Sequence, residues 1–143
     1  MNIAIGSDHG GFELKSALVA ALSGMAKIVD KGPADRSSCD YPDFAASVAK
    51  SVASGEADFG ILVCRSGIGM SMAANRFQNV RAAVCATTDT ATITRQHNGA
   101  NVLCLGADVV SPSYAVEIAK AFIATPVDES ERHARRRWKL ERA

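Results

Sequence analysis

The 143-residue chain lacks the features that mark membrane, secreted and metal-binding proteins. No apolar run approaches the roughly 18 residues that a membrane-spanning helix requires. No basic segment precedes the first apolar stretch, so we expect a cytoplasmic protein without a targeting peptide. The cysteines show no paired metal-ligand spacing and are too few for a disulfide scaffold, which indicates reduced thiols at Cys39, Cys64, Cys85 and Cys104.

A strong net charge is also missing. Lysines and arginines number 16 and acidic residues 15, which leaves a formal charge of +1 at pH 7. We therefore expect no bulk attraction to nucleic acid, and any charged ligand has to be bound by a local cluster. Repeats, low-complexity segments and linkers are absent as well, so we expect a single domain over residues 1–143.

What the chain does contain is an alternation of short apolar segments and amphipathic segments. The apolar segments predict strands, and apolar side chains at three- to four-residue spacing predict helices between them. The first helix carries Leu14, Leu18, Leu22 and Met25 on one face. Predicted strands lie at 2–6, 26–29, 59–63, 80–86 and 101–105, and predicted helices at 14–25, 42–55, 70–76, 89–97, 112–125 and 129–142.

Near-continuous apolar strands separated by helices are typical of a parallel sheet with helices on both faces. Because crossover connections between parallel strands are right-handed, few topologies remain. We predict an α/β fold: a three-layer, doubly wound, Rossmann-type sheet of five parallel strands in flavodoxin-like order, with a C-terminal helical tail at about 128–143. Ligands of such sheets bind beyond the carboxyl ends of the strands, so functional residues should follow strands 1, 3 and 5.

The segment GILVCRSGIGMSMAANR, residues 60–76, changes from strand to glycine-bearing turn to helix. Cys64 ends the strand. Glycines let a ligand approach the backbone, and free N–H groups at the start of the next helix point into the turn. The turn is therefore a candidate anion site with a thiol at its edge, and an ordinary connection with a buried cysteine is the alternative. Its residues are Arg65, Ser66, Gly67, Ile68 and Gly69.

Only three histidines occur, and each lies in a polar segment that the fold could bring to the same edge. Asp8 and His9 directly follow the first strand, where a carboxylate beside an imidazole is a poised acid–base pair. His97 ends the fourth helix, and His133 lies in the basic tail. A surface or helix-capping role is the alternative for each histidine taken singly.

The basic tail contains a second candidate anion site. Arg132 and Arg136 are four residues apart on one face of the last helix, a spacing that can clamp a phosphate. Trp138, the only tryptophan, is spaced to pack this helix against the rest of the protein. A solvated basic helix is the alternative interpretation.

In order and spacing, several motifs resemble the type B ribose-5-phosphate isomerases: IAIGSDHGGFELK, DKG, DYPDFA, ILVCRSGIGMSMAANR, RAAVC, RQHNGANVLCLGA and RHARRR. These enzymes belong to a sugar-phosphate isomerase family that also includes the galactose-6-phosphate isomerase subunits. The resemblance spans nearly the whole chain. It implies the same fold, a sugar-phosphate substrate, a homodimer with active sites at the subunit interface, dimers that often pair into tetramers, and no metal or organic cofactor.

The resemblance also implies a reaction, in which an open-chain aldose becomes a ketose through a cis-enediolate. Cys64 matches the cysteine that is the base in one branch of the family. Another branch uses a glutamate where this chain has Met70, which cannot take a proton. His97 matches the residue that opens the sugar ring. The remaining implied contacts are enediolate binding by the backbone of 65–69, hydroxyl binding by Asp8, phosphate binding by His9, Arg132 and Arg136, and pocket lining by Tyr41 and Asn98.

One position departs from the family pattern. After strand 5 the family commonly has an arginine that helps to hold phosphate, and this chain has Asp108 there. A carboxylate near a phosphate dianion is repulsive. Arg65, at a position where glycine is usual, is a candidate to compensate. An isomerase that acts on a tetrose 4-phosphate or a hexose 6-phosphate is therefore the nearest alternative to one with a five-carbon substrate.

Two other classes of α/β protein do not fit these residues. A low-molecular-weight tyrosine phosphatase needs arginine six positions after the cysteine, where Met70 stands. A dinucleotide-binding module needs GxGxxG after the first strand, and the sequence GSDHGG lacks that spacing. A sugar-phosphate-binding protein without catalysis, or a nucleic-acid binder that uses the HARRRWK run, is the alternative to an enzyme.

Overall fold

A computed structural model describes all residues from Met1 to Ala143. The strands are β1 (Asn2–Ser7), β2 (Lys27–Asp30), β3 (Phe59–Cys64), β4 (Ala82–Val84) and β5 (Val102–Gly106). The helices are α1 (Phe12–Leu22), α2 (Tyr41–Ala53), α3 (Ile68–Ala74), α4 (Thr88–Asn98), α5 (Pro112–Ala124) and α6 (Glu131–Leu140). A 3-10 turn, His9–Gly11, joins β1 to α1.

The five strands form one parallel sheet in the order β2-β1-β3-β5-β4. This confirms the doubly wound α/β fold, but the flavodoxin-like order of the last two strands is wrong, because that order sets β4 beside β3. All five residues of β5 are buried, whereas β4 is short and only partly buried. The longer strand with the larger apolar side chains therefore lies inside the sheet, and the short β4 lies at its edge.

Helices cover both faces of the sheet and enclose two apolar cores. On one face, α1, α4 and α5 bury side chains such as Leu18, Ile118 and Phe122. On the other face, α2 and α3 bury Val48 and Met70. A right-handed return from β4 to β5 requires α4 to lie on the α1 side, as observed. Each large buried side chain stabilises the fold by about 1.5–3 kcal/mol. None of the helices has the length and apolarity of a membrane span.

Several predicted boundaries shift for local reasons. α1 ends at Leu22, so Met25 lies beyond the helix and is exposed, contrary to its predicted place on the inward face. β4 covers only the middle of the predicted 80–86 segment. α3 begins two residues earlier than predicted because Gly67, with φ of +78°, turns the chain into the helix at once. The remaining predicted elements are present with end shifts of a few residues.

The C-terminal helix α6 packs against α4 rather than standing free. Arg137 ties α6 to the segment just before it, because Nη1 donates to the Asp128 carbonyl at 2.8 Å and Nη2 to Glu129 at 2.9 Å. That segment is joined to α4 by the Asp128 N–H, which donates to the Gln96 carbonyl at 3.0 Å. Arg81 pairs with Glu141 just beyond the end of the helix. Trp138 is 57% exposed, so its predicted packing role is wrong. The helix is docked by ion pairs and by the buried His133 instead.

Candidate functional site

The carboxyl ends of β1, β3 and β5 meet at one edge of the sheet. Ser7 pairs with Val63 in register, and Cys64 pairs with Gly106. The residues that follow these three strands therefore lie side by side, as the strand-end argument predicted. We call the polar residues at this edge the carboxyl-edge cluster. It contains Asp8, His9, Tyr41, Cys64, Arg65, Ser66, Gly67, Ile68 and Gly69.

Asp8 is fixed at this edge by the backbone on both sides. Its N–H donates to the Val63 carbonyl at 3.1 Å, and its Oδ1 accepts from the Gly11 N–H at 2.9 Å. Gly11 packs so closely that an added Cβ would lie 2.5 Å from the Val63 oxygen. The Asp8 carboxylate is buried, and Oδ2 makes no hydrogen bond within the chain. One carboxylate oxygen is thus rigidly held, and the other is free for a ligand.

His9 follows Asp8 in the 3-10 turn and is anchored to the loop before α2. Its Nδ1 lies 3.3 Å from both the backbone nitrogen and the carbonyl oxygen of Cys39. This contact directs Nδ1 toward the loop. The opposite ring nitrogen, Nε2, is left without a partner in the chain.

Cys64 closes β3 and is 6% exposed. The Gly67 N–H donates to its Sγ at 3.1 Å, so the turn curls back over the sulfur. Gly67 has a positive φ, and an added Cβ would lie 3.0 Å from the Leu105 carbonyl carbon, so only glycine fits here. Ser66 Oγ accepts from the Ile68 N–H at 3.2 Å. The thiol therefore lies inside a turn whose shape is fixed by glycine and by short local hydrogen bonds.

The two thiols in the sheet core differ from Cys64 in their surroundings. Burial raises the pKa of Cys85 to about 11. Burial also raises the pKa of Cys104, with the nearby thiols Cys64 and Cys85 adding to the effect. Both residues pack as small apolar side chains and stay protonated at neutral pH. Cys39 is partly exposed in the loop before α2.

Two long side chains lie across the glycines of this edge. An added Cβ on Gly69 would lie 2.7 Å from the Tyr41 ring, so that ring covers the end of the turn. An added Cβ on Gly10 would lie 2.8 Å from Cγ of Arg65, so the arginine stem crosses the 3-10 turn. Arg65 Nη1 lies 3.4 Å from Asp108 Oδ2, with both side chains largely exposed. The carboxylate that departs from the family pattern is therefore paired with a cation.

A second polar cluster lies at the amino ends of the strands. α4 starts after β4 and runs back to the amino edge, where His97 and Asn98 end it before the left-handed Gly99. α6 rests on this end of α4. The ring of His97 stacks on that of His133, with centroids 4.3 Å apart and planes 6° from parallel. A cavity of about 290 Å³ is lined by His97, Asn98, His133, Arg136, Arg137 and Leu140.

We call the polar residues at this end the amino-edge cluster: His97, Asn98, Arg132, His133 and Arg136. His133 is buried, and its Nε2 lies 3.2 Å from Nη2 of Arg132. Burial, followed by the neighbouring His97 and Arg132, lowers the pKa of His133. Hydrogen bonds from Ser130 lower the pKa of Asp128, which lies 3.7 Å from the same Nε2. The cluster therefore combines two stacked imidazoles with two arginines.

The expectation that all three histidines reach one edge is wrong within a single chain. His9 lies at the carboxyl edge, whereas His97 and His133 lie at the amino edge. A helix after a parallel strand returns to the start of the next strand, so the end of α4 has to lie at the amino edge. With strands of three to six residues, the two edges are about 10–20 Å apart.

His133 was not among the site residues predicted from the sequence, although it lines the same cavity as His97 and Arg136. The sequence does contain a signal for His133, namely its spacing. His133 lies four residues before Arg137 and seven before Leu140, a spacing that defines the inward face of an amphipathic helix. A histidine on the inward face of an otherwise charged helix indicates a packed or functional imidazole.

Comparisons with known proteins agree with the motifs. A family model described as Ribose/Galactose Isomerase matches residues 3–140. Ribose-5-phosphate isomerase B of Escherichia coli (strain K12) is 44% identical over 135 residues, which cover 94% of this chain and 90% of that protein. A putative sugar phosphate isomerase of Bacillus subtilis (strain 168) is 42% identical over 127 residues, covering 87% of this chain and 85% of that protein.

Solved structures give the same result for the fold. Ribose 5-phosphate isomerase of Thermotoga maritima superposes with a TM-score of 0.96 at 43% identity, covering 99% of this chain and 98% of that one. Ribose-5-phosphate isomerase B of Mycoplasma genitalium, solved with bound ribulose-5-phosphate, gives a TM-score of 0.93 at 40% identity and covers 99% and 94%. The resemblance that the motifs indicated is confirmed.

Proposed function

The chain belongs to the ribose/galactose isomerase family, and we propose that it interconverts ribose 5-phosphate and ribulose 5-phosphate with Cys64 as the base. It is an aldose–ketose isomerase. The observation that carries the proposal for Cys64 is its position in the turn, with the Gly67 N–H directed at its sulfur and Asp8 on the neighbouring strand end. The relative from Mycoplasma genitalium with bound ribulose-5-phosphate supports the five-carbon product.

The proposed chemistry is a proton transfer between two carbons of the open-chain sugar. The Cys64 thiolate removes the proton from C2 of the aldose, the C–H electrons form the C1–C2 double bond, and the electrons of the C1 carbonyl move to O1, which gives a cis-enediolate. A proton then moves from O2 to O1, the electrons left on O2 form the carbonyl at C2, and the double-bond electrons take the proton from the thiol at C1, which restores the thiolate. Backbone N–H groups of residues 65–69 hold the enediolate oxygens, where one such donor contributes about 2.7–4 kcal/mol.

The neighbouring side chains are less suited than Cys64 to act as the base. Met70, at the position of the glutamate in the other branch of the family, is fully buried in the apolar core and has no basic atom. Asp8 is held through Oδ1, and its free Oδ2 is suited to bind sugar hydroxyls. Tyr41 covers the end of the turn and lines the pocket.

We also propose that the active site is shared between the subunits of a homodimer. One chain separates the carboxyl-edge cluster from the amino-edge cluster, so neither edge holds the full set of residues. In a two-fold dimer, the amino-edge cluster of one subunit can meet the carboxyl-edge cluster of its partner, which gives two equal sites. Exposed apolar side chains beside the turn, Ile68 and Met72, support a covered surface there.

Within this shared site each remaining residue has a role. His97 protonates the ring oxygen to open the furanose. Arg132 and Arg136 bind the phosphate dianion together with His9, and Asn98 lines the pocket. Arg132 and Arg136 are exposed in the single chain, which leaves their guanidinium groups available to a partner's substrate. We further propose that residues 1–143 act as one isomerase domain in the cytoplasm and that dimers pair into tetramers.

Mixing of inactive variants tests the shared site. Cys64→Ala disables the carboxyl edge, and the double change His97→Asn with Arg136→Ala disables the amino edge. After unfolding and refolding together, half of the dimers are mixed, and each mixed dimer has one intact site. We expect about a quarter of wild-type turnover from the mixture. Recovery no greater than the sum of the two variants would mean that each site is built within one chain.

A second candidate substrate class is favoured by Asp108. Its carboxylate lies at the carboxyl edge and pairs with Arg65, so the charge of Arg65 is already partly neutralised there. A tetrose 4-phosphate or a hexose 6-phosphate would move the phosphate relative to this pair. Comparison of kcat/KM for ribose 5-phosphate, erythrose 4-phosphate and allose 6-phosphate distinguishes the candidates. The proposal for ribose 5-phosphate fails if either of the others is converted at least 10-fold more efficiently.

A further inference from the structure

One buried histidine lies between the residue proposed to open the ring and an arginine proposed to bind phosphate. His133 is 4% exposed, on the inward face of α6. Its ring face stacks on His97 at a centroid distance of 4.3 Å. Its ring edge, at Nε2, lies 3.2 Å from Nη2 of Arg132. A single imidazole therefore contacts both residues, and none of the roles proposed above uses it.

The contact with Arg132 determines the tautomer of His133. A guanidinium only donates hydrogen bonds, so Nε2 of His133 has to accept and the ring proton has to be on Nδ1. The ring is then neutral. Asp128 Oδ2 lies 3.7 Å from Nε2, which is too far for a hydrogen bond that would draw a proton to that nitrogen.

The charges around His133 also favour the neutral ring. Facing it are His97 from α4, Asp128 from the segment before α6, and Arg132 and Arg136 from α6 itself. Burial has the largest effect and lowers the pKa of His133. His97, Arg132 and Arg136 lower it further, and Asp128 alone opposes them. At neutral pH the imidazole is therefore an uncharged acceptor.

Resting on the proposed function, we infer that neutral His133 is a positioning residue that aligns His97 by stacking and Arg132 by accepting a hydrogen bond. The two tasks use different parts of the ring, the face for His97 and the edge for Arg132. Stacking leaves His97 one free face and fixes its plane. The hydrogen bond holds one guanidinium nitrogen of Arg132, which leaves its other donors for phosphate.

Protonation of His133 should loosen the phosphate site. A second proton, on Nε2, would turn the acceptor into a donor that faces the donors of Arg132. The hydrogen bond would then be lost and Arg132 released as pH falls through the folded-state pKa of His133, which lies below the ordinary histidine value of about 6.5. The new positive charge attracts an anion, so the loss of alignment is measured against a protein that lacks Arg132. Folding stability falls toward low pH, because the unfolded chain takes up this proton before the folded chain does.

Two substitutions separate the tasks. His133→Phe keeps an aromatic face and removes the acceptor, so KM for ribose 5-phosphate should rise about 10-fold with kcat nearly unchanged. His133→Gln keeps an acceptor and removes the aromatic face, so kcat for the cyclic substrate should fall about 3- to 10-fold. That loss should disappear with erythrose 4-phosphate, which cannot form a furanose ring through a hydroxyl that carries its phosphate.

The outcomes separate this inference from the proposed function. Wild-type protein that does not isomerise ribose 5-phosphate contradicts the proposed function alone. The positioning role is overturned if the wild type is active and each variant changes KM and kcat to the same extent, or changes neither. Circular dichroism and melting temperature identify variants that fail to fold.

If neither variant folds, sulfate binding to the wild-type protein and to Arg132→Ala decides the question. Sulfate stays a dianion from pH 7.5 to 5.5, so its binding, measured by calorimetry, reports only protonation of the protein. A proton on His133 attracts sulfate in both proteins, but only in the wild type does it also release Arg132. We therefore expect the wild type to gain less sulfate affinity toward low pH, or to lose more, than Arg132→Ala does. Equal slopes in the two proteins would overturn the inference.

Discussion

The two polar clusters of this chain are built by different means. At the carboxyl edge, Asp8 and Cys64 are buried and fixed by backbone N–H groups and by glycines that no other residue could replace. At the amino edge, Arg132 and Arg136 are long, exposed side chains carried by a helix that the stacked His133 and the Arg81–Glu141 ion pair hold in place. The carboxyl edge therefore has a fixed geometry, whereas the amino edge has long, charged side chains that can adjust to a ligand.

This difference matches the two tasks of a sugar-phosphate isomerase. Proton transfer at carbon needs the base and the enediolate donors held to within a fraction of an ångström. Phosphate recognition tolerates adaptable arginines, since a dianion offers several equivalent oxygens. The carboxyl-edge cluster is suited to the first task and the amino-edge cluster to the second. A change at the rigid edge should therefore reduce kcat, and a change at the adaptable edge should raise KM.

The largest expected effect is at the rigid edge. Cys64→Ser should lower kcat by about 10²- to 10⁴-fold, because a hydroxyl is too weak a base for a carbon acid. KM should change little, since Cys64 is not among the residues proposed to bind phosphate. Steady-state kinetics with ribose 5-phosphate measure both constants. Near-normal kcat in this variant would mean that another residue is the base, with Asp8 the first to test.

A matched control for this change is Cys85→Ala, since Cys85 is a buried thiol of the core. Its loss should lower the free energy of unfolding by about 1 kcal/mol through the small cavity it leaves. The kcat of the folded enzyme should be retained. A comparable loss of kcat in both variants would indicate a general effect of removing core thiols.

The next effect is at the adaptable edge. Arg136→Ala removes the charge-assisted bond to phosphate that we propose, so KM for ribose 5-phosphate should rise about 10-fold or more. Turnover of unphosphorylated ribose, which is far slower, should be unchanged. Arg135→Ala is the control, because Arg135 is equally exposed on the adjacent helix position. Equal losses on phosphorylated and free sugar would make Arg136 a structural residue.

The rigid edge could be predicted from the sequence better than the adaptable one. Strand ends and glycine turns are local patterns, so the sequence alone predicts that Asp8, Cys64 and the turn at 65–69 share one edge. The apolar periodicity also predicted five strands and six helices with shifted ends. These features depend on residues that are close in the chain.

The features that the sequence did not predict depend on contacts between distant segments. The order of β4 and β5 follows from their relative burial, which only packing decides. Trp138 is exposed, and its ring contacts Arg142 of the same tail, with the guanidinium carbon 4.0 Å from the centroid. The stacking of His133 on His97 joins residues 36 positions apart. Local patterns carry no signal for such pairs beyond the residue types themselves.

A smaller effect is expected from the ring-opening residue. His97→Asn should lower turnover of ribose 5-phosphate roughly 5- to 10-fold, because spontaneous ring opening partly replaces the acid. Turnover of erythrose 4-phosphate should be nearly unchanged. Parallel assays on the two sugars measure the ratio. Equal losses on both sugars would show that His97 acts on the open-chain substrate, which would give the adaptable edge a share in the proton transfer.

The smallest effect concerns Arg65, the one flexible cation at the rigid edge. Its ion pair with Asp108 is long and largely exposed, so it adds little to stability. Near a phosphate dianion, however, Arg65 offsets the repulsion from that carboxylate. Arg65→Met should therefore raise KM for ribose 5-phosphate about 2- to 5-fold. A further change of Asp108→Asn should restore most of the loss, because no unpaired carboxylate is left.

A double-mutant cycle with Arg65→Met, Asp108→Asn and the combined variant isolates this coupling. The coupling should shrink in about 0.5 M salt, because exposed charges are screened over a few ångströms there. Additive effects at both salt concentrations would mean that the pair lies outside the reach of the substrate. Arg65 would then have no part in phosphate recognition, which would fall to His9 and the arginines of the amino edge.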